Sequence, residues 1–585
     1  MRLIGRILIT VLAIIGSVTL SLFLVGLYVA LEERPESLPD RMVLTLDLDR
    51  GVVEAAADNP FARFGSRRAY GVRDVVEALD MAARDDRVVG VLAHVRSAGL
   101  GMARAQEVRD AILDFRKSGK PAILFSESIG EFGAGTVEYY VASAFAQVWL
   151  QPSGDVSITG FLLENPFARE ALDDLRIKPQ FAARHEYKSA IDILTETGFS
   201  KENRQALDGL LTSWYEQAVG GIADARGLPP EKVRGLIDRA PLLAQEALDG
   251  GLVDRLAYRD EVDAFIKPAG AEYVDLAAYA ERAGSPHLKG TRIALVYGVG
   301  EVRSGDGKAN PLAGGAVMAA DRVAKALEEA IDDPKVKAIV FRVDSPGGSY
   351  VASDRVWRQV GRARAAGKPV VVSMGDIAAS GGYFVSMAAN RIIAQPGTIT
   401  GSIGVFSGKL VLGDFWRKLG VNWDELHRGG NAPMWSSNYE FSPAAWQRID
   451  ALLDRIYQDF TTKAAAGRNL PVEALDEVAR GRIWSGSAAK RAGLVDDLGG
   501  LTTAFRHARE LAGLPPDAPI EIRRLPEPRS PYAFLVEALA DGDAPLGLSV
   551  DRDLATLVDA ARPLARHLRA LDATAGELRT PWFGN

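Results

Sequence analysis

Residues 333–340 read DPKVKAIV, and the related stretch DDRVVGVL occupies residues 85–92. The tetrapeptide GLVD likewise occurs twice, at 251–254 and again at 493–496. Such self-similarity at long spacing indicates that one structural unit is present in two diverged copies. The expected divisions are an anchor at 1–34, a first copy at 42–265, a connection at 266–290, a second copy at 291–510, and an extension without an assigned role at 511–585.

Within each copy, short β-branched runs alternate with segments of helical pattern. In the second copy the pattern predicts strands at 293–299, 336–343 and 370–374, and helices at 317–330 and 353–366. Apolar strands separated by helices of this length are typical of an α/β fold with parallel sheets. Ligands of such sheets bind at the carboxyl ends of the strands. The loops that follow the strands are therefore the places to look for chemistry.

The composition excludes several classes of protein. The 585 residues are 47% hydrophobic and 25% charged, as in ordinary folded proteins, and they exceed the length of one domain. The net charge of −7, without a long basic run, argues against a nucleic-acid partner. The chain contains no cysteine, which excludes disulfides, thiolate metal sites and a cysteine nucleophile.

The N-terminal segment is long and apolar. Residues 7–31 carry no charge, whereas Arg2 and Arg6 precede them. A helix of this length is sufficient to cross a bilayer, and positive flanking charge favours a cytoplasmic N-terminus. We expect an uncleaved single-pass anchor with the body on the far side of the membrane. A cleaved signal peptide is the alternative. A second helix is expected at 554–571.

Two loops of the second copy contain candidate catalytic groups. Residues 344–349 read DSPGGS, in which Gly347 and Gly348 could offer backbone N–H groups to a ligand oxygen. Residues 375–383 read GDIAASGGY, which could expose the hydroxyl of Ser380 beside the N–H of Gly381. A tight turn and a helix N-cap are the purely structural alternatives. The first copy has Thr136 at the second place, without the glycine pair.

A serine nucleophile needs a base. None of the six histidines lies in a catalytic-looking sequence, although a Ser-His-Asp triad stays open. The other candidate is Lys188, within EYKSA at 186–190 of the first copy; the corresponding stretch of the second copy, 427–431, has no lysine. Such a lysine would need its pKa lowered by burial. Taken alone, Lys188 is equally consistent with a solvated surface residue.

Together, the motifs at 187–190, 344–349, 374–383 and 400–404 resemble those of the signal peptide peptidase A (protease IV) family in its membrane-anchored, tandem-repeat form. The resemblance implies two tandem repeats of the α/β fold shared by crotonases and the Clp protease subunit, with a Ser/Lys dyad. The chain departs from the family pattern at Asp376 and Ile377, where glycine and methionine are common. The implied roles are nucleophile for Ser380, general base for Lys188, lysine-orienting group for Ser402, and oxyanion-hole donors for Gly347, Gly348 and Gly381.

The resemblance also implies a setting for the protein. It predicts a homotetramer that degrades hydrophobic peptides, chiefly cleaved signal peptides, without a cofactor or a metal. The expected location is a bacterial inner membrane with the catalytic part in the periplasm; a cell with one membrane would place it outside. Two alternatives are a crotonase-like acyl-thioester enzyme, which would not need Lys188, and a catalytically silent membrane scaffold.

Overall fold

The structure is a computed structural model that describes residues 37–54, 69–306 and 316–527 and the backbone of 577–579. The predicted anchor at 7–31 and the predicted helix at 554–571 lie outside these residues. Within the described ranges, no helix combines the length and the apolarity needed to cross a bilayer.

In the part of the chain that the structure describes, the first half contains eleven strands and ten α-helices. The strands β1 to β11 are Met42–Asp47, Val52–Val53, Tyr70–Gly71, Val88–His94, Ala122–Ser126, Gln147–Leu150, Asp155–Val156, Lys178–Arg184, Leu242–Leu243, Arg255–Leu256 and Glu272–Asp275. The helices α1 to α10 are Val72–Arg84, Met102–Arg116, Thr136–Ala142, Arg169–Asp174, Asp192–Thr195, Lys201–Arg226, Pro230–Ile237, Ala244–Gly250, Arg259–Ile266 and Leu276–Ala283. Short 3-10 helices lie at Leu48–Arg50 and Ser189–Ile191.

The second half follows the same alternation. Its strands β12 to β24 are Thr291–Val299, Glu301–Arg303, Val317–Ala319, Val336–Ser345, Gly347–Ser349, Val370–Ala379, Arg391–Ala394, Ile399–Gly401, Val405–Val411, Ile483–Ser485, Asp497–Leu498, Ile520–Leu525 and Glu577–Arg579. Its helices α11 to α18 are Ala320–Asp332, Tyr350–Ala365, Gly381–Ser386, Gly413–Lys418, Pro443–Arg468, Val472–Val478, Gly486–Arg491 and Leu501–Leu511.

Each half has its own parallel sheet. The first has the order β10-β6-β5-β4-β1-β11, and every neighbouring pair in it is parallel. The second has the order β21-β19-β17-β15-β12-β23, with β18 and β22 attached beside β17. Strand β21 is its antiparallel member. Strand β5, AILFS, is buried at every position, as is typical of a parallel strand covered on both faces. The predicted α/β fold with parallel sheets is confirmed.

The predicted elements of the second copy are found close to their expected positions, with one difference. Residues 317–319, predicted as the start of a helix, form β14 and pair in parallel with β13 before α11 begins. The connection and the extension, to which the sequence assigned no strand, also contain strands. Strand β11, in the connection, pairs with β1, and β23, in the extension, pairs with β12. Each therefore forms the edge of a parallel sheet.

A third sheet joins the two halves. Its order is β14-β13-β16-β24-β20-β8, and β8 is the strand that the first half contributes. Strands β8 and β20 run antiparallel over seven residue pairs, from Val405 opposite Arg184 to Val411 opposite Lys178. This register places the residues that follow β8 next to those that precede β20.

A buried ion cluster also links the halves. The guanidinium of Arg342, on β15, is fully buried and donates to both carboxylate oxygens of Glu54, at 2.6 and 2.9 Å, and to Glu107 at 2.8 Å. Its remaining terminal nitrogen donates to Ser373 Oγ at 2.8 Å. Both glutamates belong to the first half. Because charges this deep lose their hydration, the cluster is stable only while each member keeps its partners.

We predict that Arg342→Met destabilises the fold by about 3–5 kcal/mol, because it leaves two buried carboxylates without their cation. The matched control is Arg362→Met, which removes a half-exposed guanidinium bonded to Glu328 and should change stability by no more than about 1 kcal/mol. Denaturant unfolding of both variants measures the difference. Equal losses of stability in the two variants would contradict the structural role that we assign to the buried Arg342 cluster.

Candidate active site

Ser380 lies where β17 ends and α13 begins. Its backbone has φ 56° and ψ −116°, a conformation that side-chain-bearing residues rarely adopt. The Ser380 N–H donates to the carbonyl of Gly401 at 2.8 Å, and its own carbonyl accepts from Phe384 at 2.8 Å. These two bonds hold the strained residue in place. They direct the start of α13 away from the sheet at the carboxyl end of β17.

The predicted base and nucleophile are in contact. Lys188 follows β8 by four residues, and its Nζ lies 2.7 Å from Ser380 Oγ. The same nitrogen lies 3.0 Å from Ser402 Oγ and 3.1 Å from the Ser402 carbonyl oxygen. The three side chains are buried, with Lys188 only 1% exposed. The structure thus brings together the three residues that the sequence singled out from both copies.

Burial lowers the pKa of Lys188 well below its ordinary value of 10.5. Its amine faces two hydroxyls and a carbonyl, all neutral groups, so the ammonium form loses its hydration without gaining a counter-ion. A neutral amine at this position accepts a hydrogen bond from a hydroxyl. The electrostatics therefore favour the protonation state that a general base requires.

Gly481 is a site residue that the sequence did not single out. It has φ +85°, and a Cβ at this position would overlap the backbone and Cβ of Lys188. Its N–H donates to the carbonyl of Ile403 at 2.7 Å, and Arg482 accepts the N–H of Ser402 at the same distance. The segment at 480–482 thus lies between the lysine and the serine that orients it. No local motif marks such a role, because it arises from the approach of distant segments.

The predicted oxyanion-hole glycines lie next to Ser380 but differ in what their N–H groups do. Gly347 donates its N–H to Ser345 Oγ at 3.2 Å. The Gly348 nitrogen would lie 3.0 Å from a Cβ built on Gly381, so the two glycines are in close contact. The N–H of Gly347 is thus engaged by Ser345, whereas the Gly348 nitrogen lies close to the residue that follows Ser380.

An extended segment already lies against these glycines. The backbone of β24 pairs antiparallel with β16, with Leu578 opposite Gly348. On its other side, Glu577 pairs with Phe406 of β20. The space between β16 and β20 therefore accepts a peptide in strand conformation.

Asp376, a departure from the family pattern, joins the nucleophile loop to the first half. Its carboxylate accepts the backbone N–H of Arg104 at 2.9 Å and also forms an ion pair with the Arg104 side chain. Arg104 is in the first turn of α2, whose N-cap residue, Gly101, has no side chain to cap it. A Cβ on Gly101 would overlap Asp376. Asp376 therefore caps α2 from the other half of the chain.

A second carboxylate connects the two catalytic loops. Asp344 Oδ1 accepts the N–H of Ile377 at 3.0 Å, which ties the end of β15 to β17 just before Ser380. Burial, followed by the nearby carboxylates of Glu54 and Asp376, raises the pKa of Asp344 to about 7.

The histidines of the described residues do not form a triad with Ser380. The ring of His185 packs against Tyr457, with centroids 4.5 Å apart, and His507 contacts Asp497 at 3.1 Å. His94 contacts Glu127 at 2.6 Å. In the described part of the chain, no histidine side chain is hydrogen-bonded to Ser380, so Lys188 is the base that the geometry supports.

We predict that Lys188→Met raises thermal stability, because it replaces a buried amine with an apolar side chain of similar length. The unfolded chain keeps the lysine proton up to about pH 10.5, whereas the folded chain releases it at lower pH. Wild-type stability therefore rises with pH across that interval. The gap between variant and wild type should be widest below the lowered pKa and narrow toward pH 10.5.

Thermal unfolding at a series of pH values tests this prediction. Lys178→Met is the matched control, because Lys178 is half-exposed on β8 and paired with Glu440. A Lys188→Met variant that is less stable than wild type at neutral pH would contradict the account of the buried amine.

Known proteins are similar to this chain over most of its length. The family model for peptidase family S49 matches residues 114–269 and 362–515. The chloroplastic serine protease SPPA of Arabidopsis thaliana is 32% identical over 529 residues, covering 88% of this chain and 75% of the relative. Protease 4 of Salmonella typhi is 31% identical over 499 residues, covering 81% of this chain and 79% of the relative.

A solved structure of ClpP1 from Listeria monocytogenes, an N165D mutant, aligns with a TM-score of 0.22 and 16% identity. It covers 37% of this chain and 95% of its own, and a score this low supports no argument about the fold. The family assignment rests on the two matched segments and on the relatives that align over most of their length. The chain belongs to peptidase family S49, as a serine peptidase of the signal peptide peptidase A (protease IV) type in its tandem-repeat form.

Proposed function

We propose that this protein is an endopeptidase with a Ser380/Lys188 dyad that degrades hydrophobic peptides, chiefly cleaved signal peptides. The observation that carries the proposal is the 2.7 Å distance between Lys188 Nζ and Ser380 Oγ in a buried site without a nearby counter-ion. A nucleophile in hydrogen-bond contact with a neutral base is the arrangement that covalent catalysis requires.

In the acylation step, neutral Lys188 accepts the hydroxyl proton while Ser380 Oγ attacks the carbonyl carbon of the scissile peptide bond. The backbone N–H groups of Gly348 and Gly381 stabilise the tetrahedral oxyanion. The N–H of Gly347 instead donates to Ser345 Oγ and thereby holds the loop in place. The resulting ammonium protonates the leaving amine, and the C–N bond breaks. The amino-terminal part of the substrate remains as an acyl ester on Ser380, and the carboxyl-terminal part leaves with a new free amino group.

Deacylation uses the same groups in reverse order. Lys188 accepts a proton from water, whose oxygen attacks the ester carbonyl, and the ammonium then returns the proton to Ser380 Oγ as the C–O bond breaks. Ser402 supports both steps, because its hydroxyl and carbonyl oxygens, at 3.0 and 3.1 Å, hold Nζ in line with Ser380. It is a positioning residue of the dyad.

The surroundings of the site favour an apolar, extended substrate. A cavity of about 290 Å³ begins at Ser349 and Tyr350, next to Gly348, and is lined largely by apolar side chains, including Trp435, Ile449 and Leu453. The pairing of β24 with β16 supports binding of the substrate backbone as an antiparallel strand. A side chain of a substrate bound in this way could enter the cavity.

The cellular setting follows the sequence expectations. Residues 7–31 would anchor the chain as a single span, with the catalytic part in the periplasm of a bacterial cell and four copies forming the enzyme on a crotonase- and Clp-like scaffold. Tethering to the membrane would keep the dyad close to signal peptides that remain in the bilayer, which raises their effective concentration.

The test is hydrolysis of a fluorogenic apolar peptide by the full chain. We predict that Ser380→Ala and Lys188→Ala each lower kcat/KM by roughly 10⁴- to 10⁶-fold, because the two residues act as one unit. The wild-type rate should rise with pH through a value well below 10.5, because only the neutral form of Lys188 accepts the proton.

The outcomes separate the alternatives. Activity that survives Lys188→Ala and disappears in Ser380→Ala would show that another group is the base. A folded wild-type protein that cleaves no peptide would instead favour the acyl-thioester enzyme or the scaffold. A peptide with charged residues in place of the apolar ones serves as the control for substrate class.

We also predict that Gly481→Ala lowers kcat/KM by at least about 100-fold, because the new methyl group displaces Lys188 by a fraction of an ångström or more. Gly493→Ala is the matched control. Gly493 has a similar φ of +75°, but its added Cβ would meet only Leu470 at an ordinary distance of 3.6 Å. Equal activity losses in the two variants would show that backbone strain, and not displacement of the lysine, is responsible.

A further inference from the structure

A second group of chemically active side chains lies in the first half, at the carboxyl end of its parallel sheet. Asp47 is the last residue of β1, Asp49 lies in the 3-10 turn that follows, and His94 is the last residue of β4. Glu127 follows β5 directly. This is the edge at which parallel sheets bind ligands, and in this half Thr136 stands at the place of Ser380, without the glycine pair.

The ligand atoms are spaced as donors around one metal ion would be. His94 Nδ1 lies 3.5 Å from Asp47 Oδ1 and 3.4 Å from Asp49 Oδ2, and the three ligand atoms all lie within 4.8 Å of one another. Tetrahedral bonds of about 2.0–2.2 Å from zinc to nitrogen and oxygen separate neighbouring donors by about 3.4 Å. The observed spacing therefore needs little adjustment to bind an ion.

The other ring nitrogen of His94 is already held. Nε2 lies 2.6 Å from a carboxylate oxygen of Glu127, and Nδ1 on the other side of the ring faces Asp47 and Asp49. Metal-binding histidines usually donate their second N–H to a carboxylate in this way.

The charges around these residues also favour a bound cation. Besides the imidazole, the three carboxylates face the guanidinium of Arg96, which contacts Asp49 at 3.2 Å. Negative charge is therefore in excess. A similar group surrounds His507, but its negative charge is compensated. Asp497 there contacts both Lys490 at 2.8 Å and Arg506 at 3.2 Å. That second group is neutralised by its own side chains and needs no ion.

We propose that Asp47, Asp49 and His94 bind one divalent transition-metal ion of the zinc class, with Glu127 orienting the histidine. An imidazole nitrogen with two carboxylates suits zinc better than the all-oxygen preference of magnesium and calcium. The site lies apart from the dyad, and its ion would join the ends of β1 and β4 rather than enter the peptidase reaction. The sequence predicts no metal, because His94 is separated from Asp47 and Asp49 by a long stretch of chain and the three residues form no motif.

The test is isothermal titration of the metal-free full chain with Zn²⁺. We expect one ion per chain, loss of this binding in His94→Ala, and a 10- to 100-fold weaker affinity in Glu127→Gln. His507→Ala is the matched control and should bind as wild type does. Titration with Co²⁺ adds a spectroscopic readout, since a nitrogen ligand from His94 changes its visible absorption.

If His94→Ala fails to fold, Asp47→Asn replaces it. Asp47 is half-exposed, and an amide oxygen can still accept the N–H of Asp49 as the carboxylate does at 3.2 Å. Zinc binding that is absent in wild type, or unchanged in both His94→Ala and Asp47→Asn, would overturn the proposal. We expect Ser380→Ala to bind zinc as the wild type does. A failure of the zinc proposal can therefore be distinguished from a failure of the peptidase mechanism.

Discussion

The antiparallel pairing of β8 with β20 is the interaction on which the catalytic site depends. The register that sets Val405 opposite Arg184 determines which residues of the first half meet the second. Lys188 follows one strand of this pair and Ser402 precedes the other, so both are delivered to Ser380. Because a shift of one residue reverses the side-chain directions of a strand, the dyad geometry depends on this register.

The same interface supplies the environment that the lysine needs. Packing between the halves removes Lys188 from water, which favours its neutral form at a cost in stability. Other links across the interface offset that cost. Arg342 joins two glutamates of the first half to β15, and Asp376 caps a first-half helix from a position four residues before the nucleophile. The halves are therefore structurally interdependent as well as catalytically complementary.

Much of this arrangement can be predicted from the sequence. The repeat and the β-branched runs predict the parallel sheets, and the family motifs single out Ser380, Lys188 and Ser402. What the sequence does not reveal depends on tertiary contacts. The role of Gly481 requires knowing that Lys188 approaches it, and the closeness of Gly348 to Gly381 arises only when β16 and α13 meet. The edge strands β11 and β23 are identified only by their pairing with β1 and β12.

The central claim is that one chain supplies both members of the dyad, the base from its first half and the nucleophile from its second. The most direct measurement is the peptidase activity of assemblies made by co-expressing a Ser380→Ala chain with a Lys188→Ala chain. If the dyad forms within a chain, as the 2.7 Å contact indicates, every site in the mixture lacks one member and activity stays at the level of the single variants. Recovery of activity in the mixture would contradict the account, because it would mean that neighbouring chains exchange the lysine.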